Sequence, residues 1–416
     1  MKKKKILIRI GSLRHGGAEK VLVTFLKNLP QDKYEIDLLL NLYSGKYLKD
    51  VPDWINIIYL NKGEMITTNR LQDLPKKAAR VIYQKALKKC PNLLYKGKLQ
   101  NKKYDVEFAA IHGMRDEILN SPLKSSKKIV WIHNDLSEVK GYNEDEIKKF
   151  FEFDKIMVIS EKIEKLFHDL AESETEKQKI VKIYNPLDTE EIIRKSEDGS
   201  RKSEVGSRKL GVGSWELEDT KTSNSNSELH TPSFPLPASN SQPPTFISVG
   251  TVFPQKGFDR LLKVHKKLLD EGFQNKILIV GDGYDFENIK KLKTELDVDN
   301  TATMLGFTDN PYPYFKKADF YILSSRYEGF PTVLFEAITL KKKIIATDVS
   351  GVREMLNNGE LGLIVENSEN GIYEGMKTAI TDKTFFNSHL AKLSQAEMPF
   401  NLENSVQKIA SILDEL

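Results

Sequence analysis

The chain has 416 residues, with 63 Lys and Arg against 59 Asp and Glu, a formal net charge of +4 and 39% hydrophobic residues. That length exceeds one ordinary core and suits two domains of roughly 150 to 200 residues, and the near-balanced charge excludes a disordered or nucleic-acid-coating chain. The single cysteine, Cys90, excludes a disulfide framework and a cysteine-rich zinc site and points to a reducing, cytoplasmic compartment, and no run reaches the roughly 18 apolar residues of a membrane span.

The opening "MKKKKILIRIGS" has the basic lead of a signal peptide, but Arg9 and Gly11 interrupt its apolar run, so it reads as a first buried strand. Short apolar runs then alternate with helical patterns: "ILIRIG" (6–11), a helix from Ala18, "EIDLLL" (35–40), "INIIYL" (55–60), "KIVWIH" (128–133), "KIMVIS" (155–160) and "KIVKIY" (179–184). Ile163, Leu166, Phe167 and Leu170 fall at i, i+3, i+4 and i+7, the spacing of a core-facing helix. Strands alternating with helices predict a parallel sheet covered on both faces.

Lys76 to Lys103 holds ten Lys or Arg and no Asp or Glu, with Ala79, Ile82, Tyr83 and Leu87 at amphipathic helical spacing. This is a solvated basic helix or a docking surface for an anionic membrane, where each basic residue is worth about 1 kcal/mol. No nucleic-acid recognition motif accompanies it. Lys195 to Pro244 has 11 serines in 50 residues and no apolar periodicity, which predicts a disordered insertion or linker. From Thr245 the strand–helix grammar resumes with "TFISVG" (245–250), a helix carrying Phe258, Leu261, Leu262, Leu268 and Leu269, "KILIVGDG" (276–283), "ATML" (302–305), "DFYILSS" (319–325) and "KKIIATD" (342–348). The divisions expected are 1–190, 195–244, 245–383, and helices over 384–416 that pack back towards the first domain.

In "RYEGFPTVLFEA" (326–337) two glutamates stand eight positions apart. Glu328 falls in the loop after a strand, where open α/β sheets bind ligands, and Pro331 suits the first turn of the helix that carries Glu336. The amides around Phe330, Thr332 and Val333 open that helix and offer an anion site between the two carboxylates. An ionised carboxylate accepts paired hydrogen bonds from vicinal hydroxyls, so the arrangement can hold sugar, diphosphate and ribose in turn. Asp297-Val298-Asp299 is a D-x-D in a polar stretch, and the seven histidines show neither H-x-H nor H-x-x-x-H spacing, so no metal is expected.

"SVGTVFPQKGFDRLL" (248–262), "LIVGDG" (278–283), "LGF" (305–307), "YEGFPTVLFEA" and "ATDVSGVREML" (346–356) resemble, in order and spacing, the carboxyl-terminal domain of family 4 retaining glycosyltransferases. The resemblance implies the GT-B fold, two Rossmann-like α/β/α domains facing across a cleft, and the glutamate pair is the family's E-x7-E signature. It implies a nucleotide-sugar donor, a UDP- or GDP-sugar, with Glu328 at the sugar hydroxyls, Glu336 at the ribose and Lys256 on the diphosphate. Gly250, Gly281, Gly306, Gly329 and Pro331 fall within the same donor-side motifs. Thr251 stands where the family usually has arginine, which removes one of two cations expected on the diphosphate and shifts leaving-group stabilisation towards Lys256 and the helix amides.

In the amino-terminal half, "RHGGAEKVL" (14–22) joins the first strand to a helix, and Gly16 and Gly17 let backbone approach a ligand closely. The resemblance places this loop near the transferred sugar and acceptor. It makes His133, at a strand's end, a catalytic candidate beside the donor sugar and His112 a candidate for acceptor contact. The implied reaction is metal-independent transfer with retention to a glycan or lipid-linked hydroxyl, in polysaccharide biosynthesis, at or near the inner face of the cell membrane. A noncatalytic sugar-nucleotide-binding partner and a sugar-nucleotide epimerase share the architecture.

Overall fold

The computed structural model describes residues 3–14, 16–63, 74–197, 242–382, 384–396 and 400–416; most of the serine-rich segment, 198–241, lies outside the described residues. Seven strands, β1 (Lys4–Ile10), β2 (Tyr34–Tyr43), β3 (Asn56–Lys62), β4 (Val106–Ala109), β5 (Lys127–Ile132), β6 (Lys155–Val158) and β7 (Ile180–Lys182), form one sheet in the order β3-β2-β1-β4-β5-β6-β7. Six more, β8 (Thr245–Val249), β9 (Lys276–Val280), β10 (Ala302–Met304), β11 (Phe320–Leu323), β12 (Lys343–Thr347) and β13 (Leu363–Val365), form a second in the order β10-β9-β8-β11-β12-β13. Every described pairing in both sheets is parallel.

The apolar runs become strands because both of their faces are covered, and Ile6, Leu7, Ile8 and Ile10 are all buried. β4 gave no such run, because its sequence VEFA carries Glu107. That carboxylate is fully buried and accepts from Lys128 Nζ at 2.8 Å and from the hydroxyls of Tyr95 and Ser126, which compensates its desolvation. In each sheet the order reverses beside the first strand, at β1/β4 and at β8/β11. Open parallel sheets bind ligands in the crevice at such switch points.

Local signals set the helices around these crevices. Ser160 caps the helix Glu161–Leu170 by accepting from the Ile163 amide, and Ile163 and Phe167 turn inward. Gly257, at φ 66°, turns the chain into the helix Phe258–Asp270. A side chain there would strike the Ser324 carbonyl, so only glycine fits. The basic region of amphipathic spacing does form a helix. In the helix Leu74–Lys89 Leu87 packs inward, but Ile82 and Tyr83 are exposed, as is Val81.

The chain crosses from the first half to the second between β7 and the helix Thr189–Glu197, and returns between the helix Phe385–Gln395 and the helix Leu402–Glu415. That last helix lies on the first half: Lys4 Nζ donates to the Leu413 carbonyl at 2.6 Å and Tyr34 to Asp414 Oδ1 at 2.7 Å. At the crossings the ring of Tyr184 lies 4.7 Å from that of Phe400 and 5.5 Å from that of Phe330, centroid to centroid.

Candidate active site

A cavity of about 450 Å³ lies between the two sheets and is lined by loops at the carboxyl ends of their strands. Glu328, in the loop after β11, is 6% exposed, and its Oε1 accepts from Lys256 Nζ at 2.6 Å and from Ser325 Oγ at 2.6 Å. The helix Thr332–Thr339 follows, with Pro331 at its cap rather than inside its first turn, and no side chain caps it. Thr332 and Val333, whose amides open the helix, line the cavity, and Glu336 follows one turn later at 5% exposure.

Glu336 is engaged from the other half of the molecule. Lys20, on the helix Gly17–Lys27, donates to Glu336 Oε1 at 2.5 Å and to the Tyr312 hydroxyl at 3.1 Å, and Tyr312 reaches the same Oε1 at 3.3 Å. Burial opposes the Lys20 ammonium, but Glu336 and Tyr312 outweigh it and hold its pKa above the ordinary lysine value. Burial first, then Glu336, pushes the Tyr312 phenol up. Nothing local in the sequence marks Lys20 or Tyr312, since Lys20 lies 292 residues from Tyr312 and 316 from Glu336. Lys46 makes a second crossing, over the face of Phe307 and 3.4 Å from Asp309.

The glycines place backbone where side chains would block it. At Gly16 a Cβ would fall on the Glu19 carboxylate, and at Gly17 it would meet Thr332 Oγ1 at 3.2 Å. The glycine loop therefore sits against the start of the Thr332–Thr339 helix. Gly250 lies under the aliphatic stem of Lys256, Thr251 lines the cavity, and Gly281, at φ 146°, leaves no room for a side chain beside the Gly250 carbonyl. Gly306, Gly329 and Pro331 stand behind the lining: Gly306 accepts the Gly281 amide at 2.8 Å, and Gly329 is pressed against the His133 carbonyl.

His133 lines the cavity, and its Nε2 lies 3.1 Å from the Ala110 carbonyl. Burial first, then the neighbouring His112, depress its pKa to about 3, so the ring is neutral at pH 7. A neutral ring bonded to a carbonyl carries its proton on Nε2 and keeps Nδ1 as an acceptor. His112 does not line this cavity. Its ring packs edge-on to Tyr142 at 5.5 Å, and burial depresses its pKa to about 4. The D-x-D lies elsewhere, with Val298 in the core and Asp299 bound by Lys293 at 2.7 Å.

Residues 233–396 match the family described as glycosyl transferases group 1. Over 138 residues the chain is 33% identical to the N-acetylgalactosamine-N,N'-diacetylbacillosaminyl-diphospho-undecaprenol 4-alpha-N-acetylgalactosaminyltransferase of Campylobacter jejuni, covering 33% of this chain and 37% of that protein. Over 152 residues it is 28% identical to the lipopolysaccharide core biosynthesis glycosyltransferase LpsE of Rhizobium meliloti, covering 36% of this chain and 43% of that protein. The aligned stretch thus spans less than half the length of these curated relatives. In fold the likeness runs the whole length. Anabaena Alr3699/HepE, solved in complex with UDP and glucose, superposes with a TM-score of 0.64 at 17% identity over 99% of this chain and 100% of that one. WaaG, a glycosyltransferase involved in lipopolysaccharide biosynthesis, superposes with a TM-score of 0.60 at 14% identity over 98% of this chain and 99% of that one. The fold is GT-B, and within it residues 233–396 are similar to the glycosyl transferases group 1 family.

Proposed function

We propose that the protein is a retaining glycosyltransferase that moves a sugar from a UDP- or GDP-sugar to a hydroxyl of a glycan or lipid-linked acceptor in cell-surface polysaccharide biosynthesis. The observation that carries this reading is the pair of buried, lysine-bound glutamates on either side of an uncapped helix start, in one cleft between two parallel sheets. In this reading Glu328 takes the hydroxyls of the sugar and Glu336 those of the ribose, while Lys256 and the amides of Thr332 and Val333 hold the diphosphate. Gly16 and Gly17 bring backbone up to the transferred sugar, and His133 accepts one of its hydroxyls through Nδ1.

The bond from the anomeric carbon to the diphosphate oxygen breaks as Lys256 and the helix amides stabilise the departing charge. The acceptor oxygen attacks on the face the diphosphate leaves, and the departing phosphate oxygen takes the acceptor's proton. No metal enters this scheme. The acceptor approaches along the amino-terminal half, and Val81, Ile82 and Leu93 stand exposed on the lysine-rich helices there, which suits peripheral docking to an anionic membrane. The acceptor named in the Campylobacter relative is a diphospho-undecaprenol, consistent with a lipid-borne substrate here.

A thermal-shift screen of UDP-, GDP- and ADP-sugars, with and without EDTA, tests the donor site, since a ligand stabilises only the fold that binds it. A stabilising donor is expected with or without chelator. Incubating that donor with membrane extract then tests transfer. Binding with no transfer to any acceptor would make the protein a noncatalytic binder, and an altered sugar released without acceptor would make it an epimerase.

A further inference from the structure

The two glutamates of the cleft are built alike. Glu328 receives an ammonium, Lys256, and a hydroxyl, Ser325, on Oε1; Glu336 receives an ammonium, Lys20, and a hydroxyl, Tyr312, also on Oε1. Among the described residues all four bonds fall on the one oxygen of each carboxylate, so Oε2 of each is left to a ligand. The difference lies in where the lysine comes from. Lys256 belongs to the same half as Glu328, whereas Lys20 reaches Glu336 across the cleft.

The surroundings make Lys20 more than a surface ion pair. Its partner's side chain is 6% exposed, whereas the other crossing, Lys46 to Asp309, joins groups that are 40% and 73% exposed, where solvent and salt remove most of the attraction. The cavity is also short of positive charge: five lysines line it against six carboxylates, and Thr251, beside Lys256, is uncharged. Without Lys20, Glu336 would be a buried carboxylate held by one neutral hydroxyl, with no cation to fix which oxygen faces the ligand.

We propose that Lys20 is a positioning residue for nucleotide binding: it fixes the Glu336 carboxylate by its Oε1, with Oε2 presented to the ribose hydroxyls, and does so only when the two halves are closed on each other. Nucleotide capture and cleft closure are thereby one event, because the ribose acceptor is completed by a residue of the opposite half. The inference rests on the donor-site reading above.

The test measures UDP affinity by titration, and donor KM and kcat, for wild type, Lys20→Met, Lys20→Arg, Glu336→Gln and the double variant Lys20→Met/Glu336→Gln. Lys20→Met is expected to weaken UDP binding and raise donor KM about tenfold with kcat within about twofold. Lys20→Arg, which keeps the charge, is expected to recover most of the affinity. In the Glu336→Gln background the further loss on removing Lys20 is expected to vanish, since it acts through that carboxylate. The melting temperature without ligand, read alongside, shows that each variant folds. Equal affinity of wild type and Lys20→Met, or a Lys20 effect that persists at full size in the Glu336→Gln background, would overturn the inference alone. A folded wild type that no nucleotide stabilises would overturn the donor reading and this inference with it.

Discussion

At the carboxyl ends of β8 and β11 the cleft wall is charged, with Lys256 bound to Glu328, whereas at the ends of β1 and β5 it offers glycine backbone and a neutral histidine. The same fold element thus serves two chemical ends. One wall sets fixed charges in the cleft, and the other supplies close approach, with Gly17 against Thr332 and the His133 carbonyl against Gly329. The second-half wall carries the glutamate pair and Lys256, whereas the first-half wall, which has charges of its own at Glu19, Lys46, Lys49 and Asp50, meets it with backbone and ties the two together through Lys20.

Four experiments would break or sharpen that division. Glu328→Ala or Lys256→Ala, in the charged wall, is expected to lower kcat/KM by about 10² to 10³ in a radiolabelled-donor assay while leaving the fold intact. A folded variant with near-normal transfer would end the claim for that wall. Gly329→Ala should act on closure: its Cβ would strike the His133 carbonyl, and the parting of the walls is expected to cost about tenfold to a hundredfold in turnover. Donor-free thermal unfolding should change far less, because each core stays packed.

Further from the cleft, neutralising Lys85 and Lys89 on the basic helix should weaken binding to anionic vesicles by about 30-fold, taking roughly 1 kcal/mol for each charge. Transfer to a short water-soluble acceptor should be untouched, and unchanged vesicle binding would count against docking.

The smallest effect concerns the histidines of the first half. Burial holds His133 at about 3 and His112 at about 4, below the ordinary value of 6.5, so the unfolded chain binds protons that the folded one refuses. Their contribution is complete above about pH 6.5 and is lost as the pH falls from there towards 4. Denaturant titrations at pH 7 and pH 5 should show a stability loss that shrinks by on the order of 1 kcal/mol in His133→Asn. A variant with the wild-type pH slope would show that His133 is not held neutral.

The charged wall was largely legible from the chain, and the physical reason is locality. Glu328, Thr332, Val333 and Glu336 lie on one loop and one helix start, so their spacing alone sets their geometry. Lys20 and Tyr312 were not legible, because what gives them meaning is a meeting between elements some 300 residues apart, 292 and 316 by separation from Lys20. Most strands announced themselves through continuous apolar runs. β4 hid behind a buried glutamate. The basic helix left its choice open for another reason: helical spacing says which residues share a side, not whether anything covers that side, and Ile82 is 67% exposed.

The two places where the chain passes between the halves lie side by side, with the rings of Tyr184 and Phe400 touching and Phe330 resting on both. Two adjacent tethers act as one pivot: they forbid the halves to slide or separate and leave rotation about that spot as the easy motion. Phe330 sits on the pivot and is also the residue between Gly329 and the capping Pro331 of the helix Thr332–Thr339. Glu328 and the amides of Thr332 and Val333, close in sequence to Phe330, therefore lie at short radius and move little, whereas lining residues further from the pivot sweep wider. Opening would release those outer residues first and disturb the reacting centre last.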